Sequence, residues 1–258
     1  MRIISYNVNG IRSAIKKGFI DWLKTDPADI ICLQEIKANE SDIDRAGIES
    51  AGYRSYFFSA QKKGYSGVAI LSKPEPDNVL YGHGNIQSDF EGRVLRADFG
   101  DVTLICSYFP SGTSGETRQA YKYIWLEEFL EYLNELKSAG RSLIVCGDYN
   151  IAHKEIDIHN PVSNKRTTGF LPDERAWFDK FLISGFTDGF RHLNKERGQY
   201  TWWSVMRPTT RLENKGWRID YINVTNNLSG CIQKVKIFPD VKHSDHCPVY
   251  LELDLEQI

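Results

Sequence analysis

What most constrains this chain is its supply of short strand-like runs and its shortage of helices to put between them. Runs at 2–8, 28–34, 53–59, 67–72, 93–99, 101–109, 142–148, 200–204, 217–225, 232–238 and 248–255 draw on Val, Ile, Tyr, Phe and Trp, which suit a pleated, half-buried surface. Several alternate, as Val249, Leu251 and Leu253 do against Tyr250, Glu252 and Asp254. Helical periodicity is confined to three places. Ile11, Ile15, Phe19, Trp22 and Leu23 make one apolar face. Leu126, Phe129, Leu130, Leu133 and Leu136 make another, in a helix predicted over 116–138 and stopped by Ala139-Gly140. A third starts at Pro172 and carries Trp177, Phe181 and Leu182. Strands that outnumber helices without alternating with them do not fit a doubly wound parallel sheet. They predict an α/β sandwich of two packed mixed β-sheets flanked by helices.

No internal repeat, low-complexity stretch or linker interrupts the 258 residues, so a single domain over 1–258 is expected. A composition that is 41% hydrophobic and 26% charged excludes the disordered and fibrous classes. No apolar run approaches the roughly 18–20 residues of a membrane span. The start, MRIISYNVNG, reads as a strand and not as a signal peptide. A cytoplasmic, non-secreted monomer with no membrane partner is expected. The five cysteines, Cys32, Cys106, Cys146, Cys231 and Cys247, are odd in number and include no CxxC pair, so neither a disulfide framework nor a zinc site is signalled. Cys32, Cys106 and Cys146 lie in apolar runs and are expected to be small buried thiols. The net charge of −2 gives no global attraction to nucleic acid, so a DNA partner has to be argued from a local patch.

The strand ends carry the chemistry. "RIISYNVNG" ends in Asn7 and Asn9, "DIICLQEIK" in Gln34 and Glu35, "TLICSYFPSG" in Tyr108, and "LIVCGDYN" in Asp148 and Asn150. "GWRIDYINV" carries Asp220 in mid-run, and "KHSDHCPVYLEL" sets Asp245 and His246 just before the last strand. One Asp or Asn after a strand is more often a turn residue than a functional one, and a lone His is more often structural. Six strands ending in carboxylate, amide, imidazole or phenol are a different matter. That is a site built on rigid elements, with many oxygens for a hard cation. A phosphate-binding GxxxxGK loop and a GxSxG elbow are both missing. Carboxylates and amides suit Mg²⁺ or Mn²⁺. An acid and a His beside such an ion suit phosphate-ester hydrolysis: the acid takes a proton from water and the protonated His steadies the crowded oxygens. Asp220 could fix the tautomer of that His and favour its charged form.

Asn7 in "SYNVNG", Glu35 in "LQEIK", "GDYN" and "SDH" resemble the endonuclease/exonuclease/phosphatase superfamily. With "KGYSGVAI", "SYFPSG", "TGFLPDERAW", "YTWWS" and "GWRIDY", almost the whole chain resembles the exonuclease III family of apurinic/apyrimidinic (AP) endonucleases. The resemblance implies a four-layered α/β sandwich. It implies Glu35 as principal metal ligand, with Asn7 and Asp245 nearby and Asp148, Asn150 and His246 around the same ion. Asp148 would activate or orient water, Asn150 would position water or phosphate, and His246, paired with Asp220, would contact the phosphate. Tyr108 would lie at the scissile phosphate as proton donor or positioning group. Trp202, Trp217 and Ile219 match the wall of a pocket for a flipped-out abasic sugar, although without the resemblance the tryptophans would sooner be read as core aromatics. Met206 would enter the helix.

The loop "WSVMRPTTRLENKGWR" sets Arg207, Arg211, Lys215 and Arg218 against Glu213, either a DNA-backbone contact or a solvated mixed-charge loop. Lys62, Lys63, Asn164, Lys165 and Arg166 are further phosphate candidates. The chain departs from some relatives at Asn9, where they have Asp beside the metal, and at Thr113 and Ser114, where they have Arg. No extension precedes the first strand, so functions carried by one elsewhere are not expected. The implied activity is Mg²⁺-dependent cleavage 5′ to abasic sites in double-stranded DNA, with 3′→5′ exonuclease and 3′-phosphatase or phosphodiesterase trimming of blocked 3′ ends. A mainly 3′-end-processing enzyme, a lipid or inositol phosphate phosphatase, and a DNA-binding module with a dead site are the alternatives.

Overall fold

The chain builds the same strand arrangement twice. The computed structural model describes residues 1–207 and 209–255. Its first sheet uses β1 (Arg2–Asn7), β2 (Ile30–Gln34), β3 (Arg54–Phe58), β4 (Val68–Ser72), β11 (Ile232–Ile237) and β12 (Val249–Leu253), in the order β11-β12-β1-β2-β4-β3. The second uses β5 (Asn78–Tyr81), β6 (Val94–Phe99), β7 (Val102–Tyr108), β8 (Ser142–Asp148), β9 (Phe186–Asp188) and β10 (Asp220–Thr225), in the order β5-β6-β7-β8-β10-β9. In each sheet the two central strands, β1 with β2 and β7 with β8, are parallel and every other neighbour is antiparallel. A parallel pair needs a crossover. Here α1 (Ile11–Lys16) and α2 (Phe19–Leu23) serve one, and α5 (Glu116–Ser138) serves the other. The equivalence is topological, with no matching sequence repeat.

The expected four layers are present. Inner-face residues such as Ile3, Cys32, Val68, Leu104, Cys146, Ile222 and Leu251 form the core between the sheets. The outer face of the first sheet is covered by Ile11, Phe19 and Leu23 of the helices α1 and α2 and by Ile48 of α3 (Arg45–Ser50). The second is covered by Trp125, Phe129 and Leu133 of α5 and by Phe178 and Phe181 of α6 (Pro172–Ile183). The central strands are buried on both faces, which is why they read as continuous apolar runs. All five cysteines are buried and free. Among the described residues no helix is long and apolar enough to cross a membrane.

Some boundaries differ from the sequence reading. The first helix breaks in two at Gly18, which takes φ +92°. The short elements α4 (Ile86–Phe90), α7 (Gly189–Leu193), β5 and β9 carry too few periodic residues to be seen in advance. The run at 200–204 is not a ladder strand. Trp202 instead makes single bridges to Trp217 and to His246, and so wedges the two segments together.

Candidate active site

The carboxyl ends of both parallel pairs meet at one end of the sandwich. At the first, β1 delivers Asn7 and β2 runs into Glu35. Asn9, Glu35 and Lys37 all take positive φ, of 44°, 52° and 49°. For residues with a Cβ this costs on the order of 1–3 kcal/mol each and persists only where surrounding bonds hold it. They do so here: Gly10 N–H donates to the Glu35 carbonyl at 2.7 Å and Lys37 N–H to the Ser66 carbonyl at 2.9 Å. The strained turn aims the Glu35 carboxylate inward. It accepts from Lys37 Nζ (2.5 Å), Tyr108 Oη (2.7 Å) and Asn7 Nδ2 (3.1 Å).

The second pair delivers the other half. Gly147 lets β8 lie close to β7, since a Cβ there would fall 2.0 Å from the Ser107 carbonyl oxygen. Asp148 follows, and Asn7 Nδ2 also donates to its Oδ2 at 2.9 Å, tying the two halves together. Asn150, at φ 52°, donates its N–H to Asp148 Oδ1 at 2.8 Å and its Nδ2 to the Phe109 carbonyl at 3.0 Å. Asp220 is not mid-strand but the first residue of β10, in register with Asp148. It accepts from His246 Nδ1 at 2.9 Å, and His246 Nε2 lies 3.9 Å from Asp148 Oδ2. Asp245 is held by Asn9 Nδ2 (2.8 Å) and Trp202 Nε1 (3.0 Å).

These surroundings push the titrating groups apart. Burial, then Asp220 and Glu35, raise Asp148 to about 7 against the pull of His246. Burial disfavours a charged His246, but Asp220, Asp148 and Asp245 outweigh it and lift the imidazole to about 10, so it is a cation at neutral pH. Burial also opposes the charge on Glu35, yet Lys37, Tyr108 and Asn7 together hold it below the usual carboxylate range. Burial and the Glu35 charge push the Tyr108 phenol well up, so it remains a hydrogen-bond donor. Asp148, Asp220 and His246 present ligand atoms within 4.8 Å of one another and could hold a metal ion. The Glu35 side fits a hard cation better, because Glu35 Oε2 and Asn9 Oδ1 already cradle one, the Lys37 ammonium at 2.5 and 2.6 Å. Asn7 turns its nitrogen, not its oxygen, to both carboxylates, and so bridges them in this arrangement.

A cavity of about 330 Å³ opens beside this cluster, lined by Glu35, Tyr108, Asp148, Asn150, Asp245 and His246 on one side and by Trp202, Trp217 and Ile219 on the other. The two indoles meet edge to face at 6.0 Å. Farther out, Met206 is 90% exposed and Arg207 is exposed, while Asn164 is half-buried and its Nδ2 donates to the Asn160 carbonyl. Lys62, Lys63, Lys165 and Arg166 are exposed. Pro208 lies outside the described residues. The basic-loop reading needs correction. Arg218 is buried between Asp157 and Asp188, at 2.8 and 2.7 Å, with no face for DNA. Arg211 spends its guanidinium on the carbonyls of Ser244, Pro239 and Val241, and Lys215 pairs with Glu213.

Residues 4–246 match the model of the Endonuclease/Exonuclease/phosphatase family. The chain belongs to that family. It is 43% identical to an exodeoxyribonuclease of Bacillus subtilis over 99% of this chain and 100% of that one. It is 41% identical to the DNA repair nuclease APEX1 of Danio rerio, over 98% of this chain and 82% of that protein. An AP endonuclease from Archaeoglobus fulgidus superposes with a TM-score of 0.90 at 32% identity, covering 99% of this chain and 100% of that one.

The sequence reading of this family member passed over several residues. Lys37 stood inside the quoted "LQEIK" without a role. Arg12 and Lys16 line a shallow cavity of about 400 Å³ with Lys37, and their i,i+4 spacing opposite the apolar face of α1 was the available signal. Arg93 donates to the Tyr108 carbonyl at 2.7 Å and lies 4.8 Å from its ring centre, a contact across sheet neighbours that no local pattern announces.

Proposed function

We propose that this chain is a DNA repair nuclease that hydrolyses the phosphodiester 5′ to an abasic site, works as a monomer, and also trims 3′ ends. The observation that carries the reading is the cavity. Its Trp202, Trp217 and Ile219 wall is apolar and stands directly against Asp148, Asn150 and His246. Such a pocket suits a sugar that has lost its base and offers nothing to a normal base edge.

The residues divide the work by charge. The His246 imidazolium, held by Asp220, aims Nε2–H at a phosphate oxygen. Asp148, with a pKa of about 7, takes the proton of the attacking water. Asn150 and the protonated Tyr108 orient water and phosphate. As the water oxygen bonds to phosphorus, the P–O3′ bond breaks and the 3′ oxygen leaves, taking a proton from solvent to become a hydroxyl. A Mg²⁺ or Mn²⁺ ion held by Glu35 and Asp245 would neutralise the phosphate charge. A second reading, mainly 3′-end processing, is favoured by Ser111 and Thr113 at the cavity mouth, whose short side chains leave room for a terminal phosphate.

Cleavage of a 5′-labelled duplex with one tetrahydrofuran abasic analogue, with Mg²⁺ and with EDTA, tests both beside a nicked duplex bearing a 3′-phosphate. A metal-dependent cut 5′ to the analogue is expected. Removal of the 3′-phosphate alone would favour the second reading, and survival of both substrates would sink both.

A further inference from the structure

One buried ion pair has no task in this reaction. Lys122 on α5 and Glu174 on α6 are fully buried, with Nζ 2.5 Å from Oε1. Desolvating two charges is expensive, and apolar residues of like volume would hold the helices together at least as well. Glu174 Oε1 also accepts from the side chains of Gln119 (3.1 Å) and Thr168 (3.4 Å), and the pair's remaining bonds go to backbone. Lys122 Nζ donates to the Asn150 carbonyl at 2.8 Å. Glu174 Oε2 accepts the N–H groups of Gly169 at 2.6 Å and Leu171 at 3.0 Å.

Both backbone segments belong to the cleft. Asn150 sits at φ 52° and its N–H fixes Asp148 Oδ1; an ammonium on its carbonyl pins the 150–151 peptide and so restrains, across one Cα, the strained residue whose N–H aims Asp148. Gly169 lines the cavity at φ 89°. A Cβ there would come within 3.0 Å of the Trp217 ring and 3.1 Å of the Asn150 carbonyl. The turn at 168–171 therefore packs between the pocket wall and the catalytic strand end.

The geometry points to Lys122 and Glu174 as a positioning pair: the ammonium orients Asp148 through Asn150, and the carboxylate holds the turn that closes the sugar pocket. This rests on reading the cleft as a DNA-hydrolysing site. Neither side chain lines the cavity, so the pair acts through the groups it holds: the Asn150 carbonyl, the N–H groups of Gly169 and Leu171, and the Thr168 hydroxyl.

Lys122→Met and Glu174→Gln are compared with Leu133→Ala, a core change on the same helix away from the cleft, by kcat and KM on the tetrahydrofuran duplex, by Tm, and by amide exchange at Asn150 and Gly169. Lys122→Met is expected to lower kcat roughly 10–100-fold, the usual cost of losing a group that orients an active-site residue, with KM within about threefold. Glu174→Gln should lower kcat and raise KM. Leu133→Ala should lower Tm and leave both constants alone. Wild-type kcat in folded Lys122→Met, or an equal loss of kcat in Leu133→Ala, overturns the proposal. If Lys122→Met does not fold, Glu174→Gln decides, since its amide oxygen can still accept from Gly169. If the wild-type protein fails to cut, faster exchange at Asn150 or Gly169 in the variants upholds the pair and leaves the functional reading as the error, whereas unchanged exchange sinks the pair as well.

Discussion

The two sheets share one topology, and their equivalent carboxylates are driven in opposite directions. Glu35 follows β2 and Asp148 ends β8, each the second strand of a parallel pair. Asp148 is buried and Glu35 largely so, its side chain 16% exposed; Glu35 is itself at positive φ and Asp148 is held by Asn150, which also is. Burial pushes both towards the neutral acid. Glu35 nevertheless stays below the ordinary range because Lys37, Tyr108 and Asn7 donate to it, whereas Asp148 rises to about 7 because Asp220 and Glu35 add repulsion to burial. The fold supplies two matching positions and the neighbours separate their charge, which suits the proposed roles of a permanent anion for a cation and a poised base for water.

Exchanging either carboxylate for its amide should break this pairing in a different way. Asp148→Asn removes the base, and kcat should fall on the order of 10³-fold, within the span of general-base contributions, while Mg²⁺ titration calorimetry shows metal binding nearly unchanged. Glu35→Gln should raise the Mg²⁺ concentration for half-maximal activity by about 10²-fold or more, since even groups behind a ligand cost that much. An Asp148→Asn protein that loses metal affinity and keeps kcat at saturating Mg²⁺ would mean that the roles are reversed.

How much of this the sequence made legible follows from the range of each interaction. Strand tips are local, so Glu35, Tyr108, Asp148 and Asn150 could be read from an apolar run and its last residues. The turn of Asp220 into the first residue of β10 depended on its register with Asp148, which is a pairing across the fold. Arg218 looked like a surface cation because its loop is polar, and only the carboxylates of Asp157 and Asp188, far off in the chain, show it to be internal. The duplicated topology left no trace in the sequence at all, because sheet order is set by which faces are apolar, not by which residues make them so.

The pocket wall sharpens the comparison from outside the two carboxylates. In the proposed reaction any phosphate ester would need Glu35 and Asp148, but only the abasic sugar would need Trp217, which belongs to the second half alone. Trp217→Ala should cut abasic-site cleavage about tenfold while 3′-phosphate removal stays within about twofold, as expected when apolar pocket area is lost and the chemistry is untouched. Equal losses on both substrates would make the indole part of the framework.

The smallest expected effect bears on whether the sign of the neighbours, and not burial, separates Glu35 from Asp148. Asp157 is as buried as Asp148 and lies on the same half, but its neighbours are Arg218 (2.8 Å) and Arg191 (2.7 Å). Burial alone would raise it; the two guanidinium groups bring it down to about 2 from the ordinary 3.8. A carboxyl depressed in the folded state contributes stability that is complete above its unfolded value and is lost as pH falls through the folded one. For this group the window runs from about pH 4 down to about pH 2, and the contribution is about 2 kcal/mol. Urea unfolding of the wild type and of Asp157→Asn at pH 6 and at pH 2 should show the stability gap narrowing by about that amount as the acid limit is reached. A gap that instead closes between pH 8 and pH 6 would put Asp157 in the range of Asp148. Burial would then govern both, and the opposite behaviour of Glu35 would need a cause other than the cation beside it.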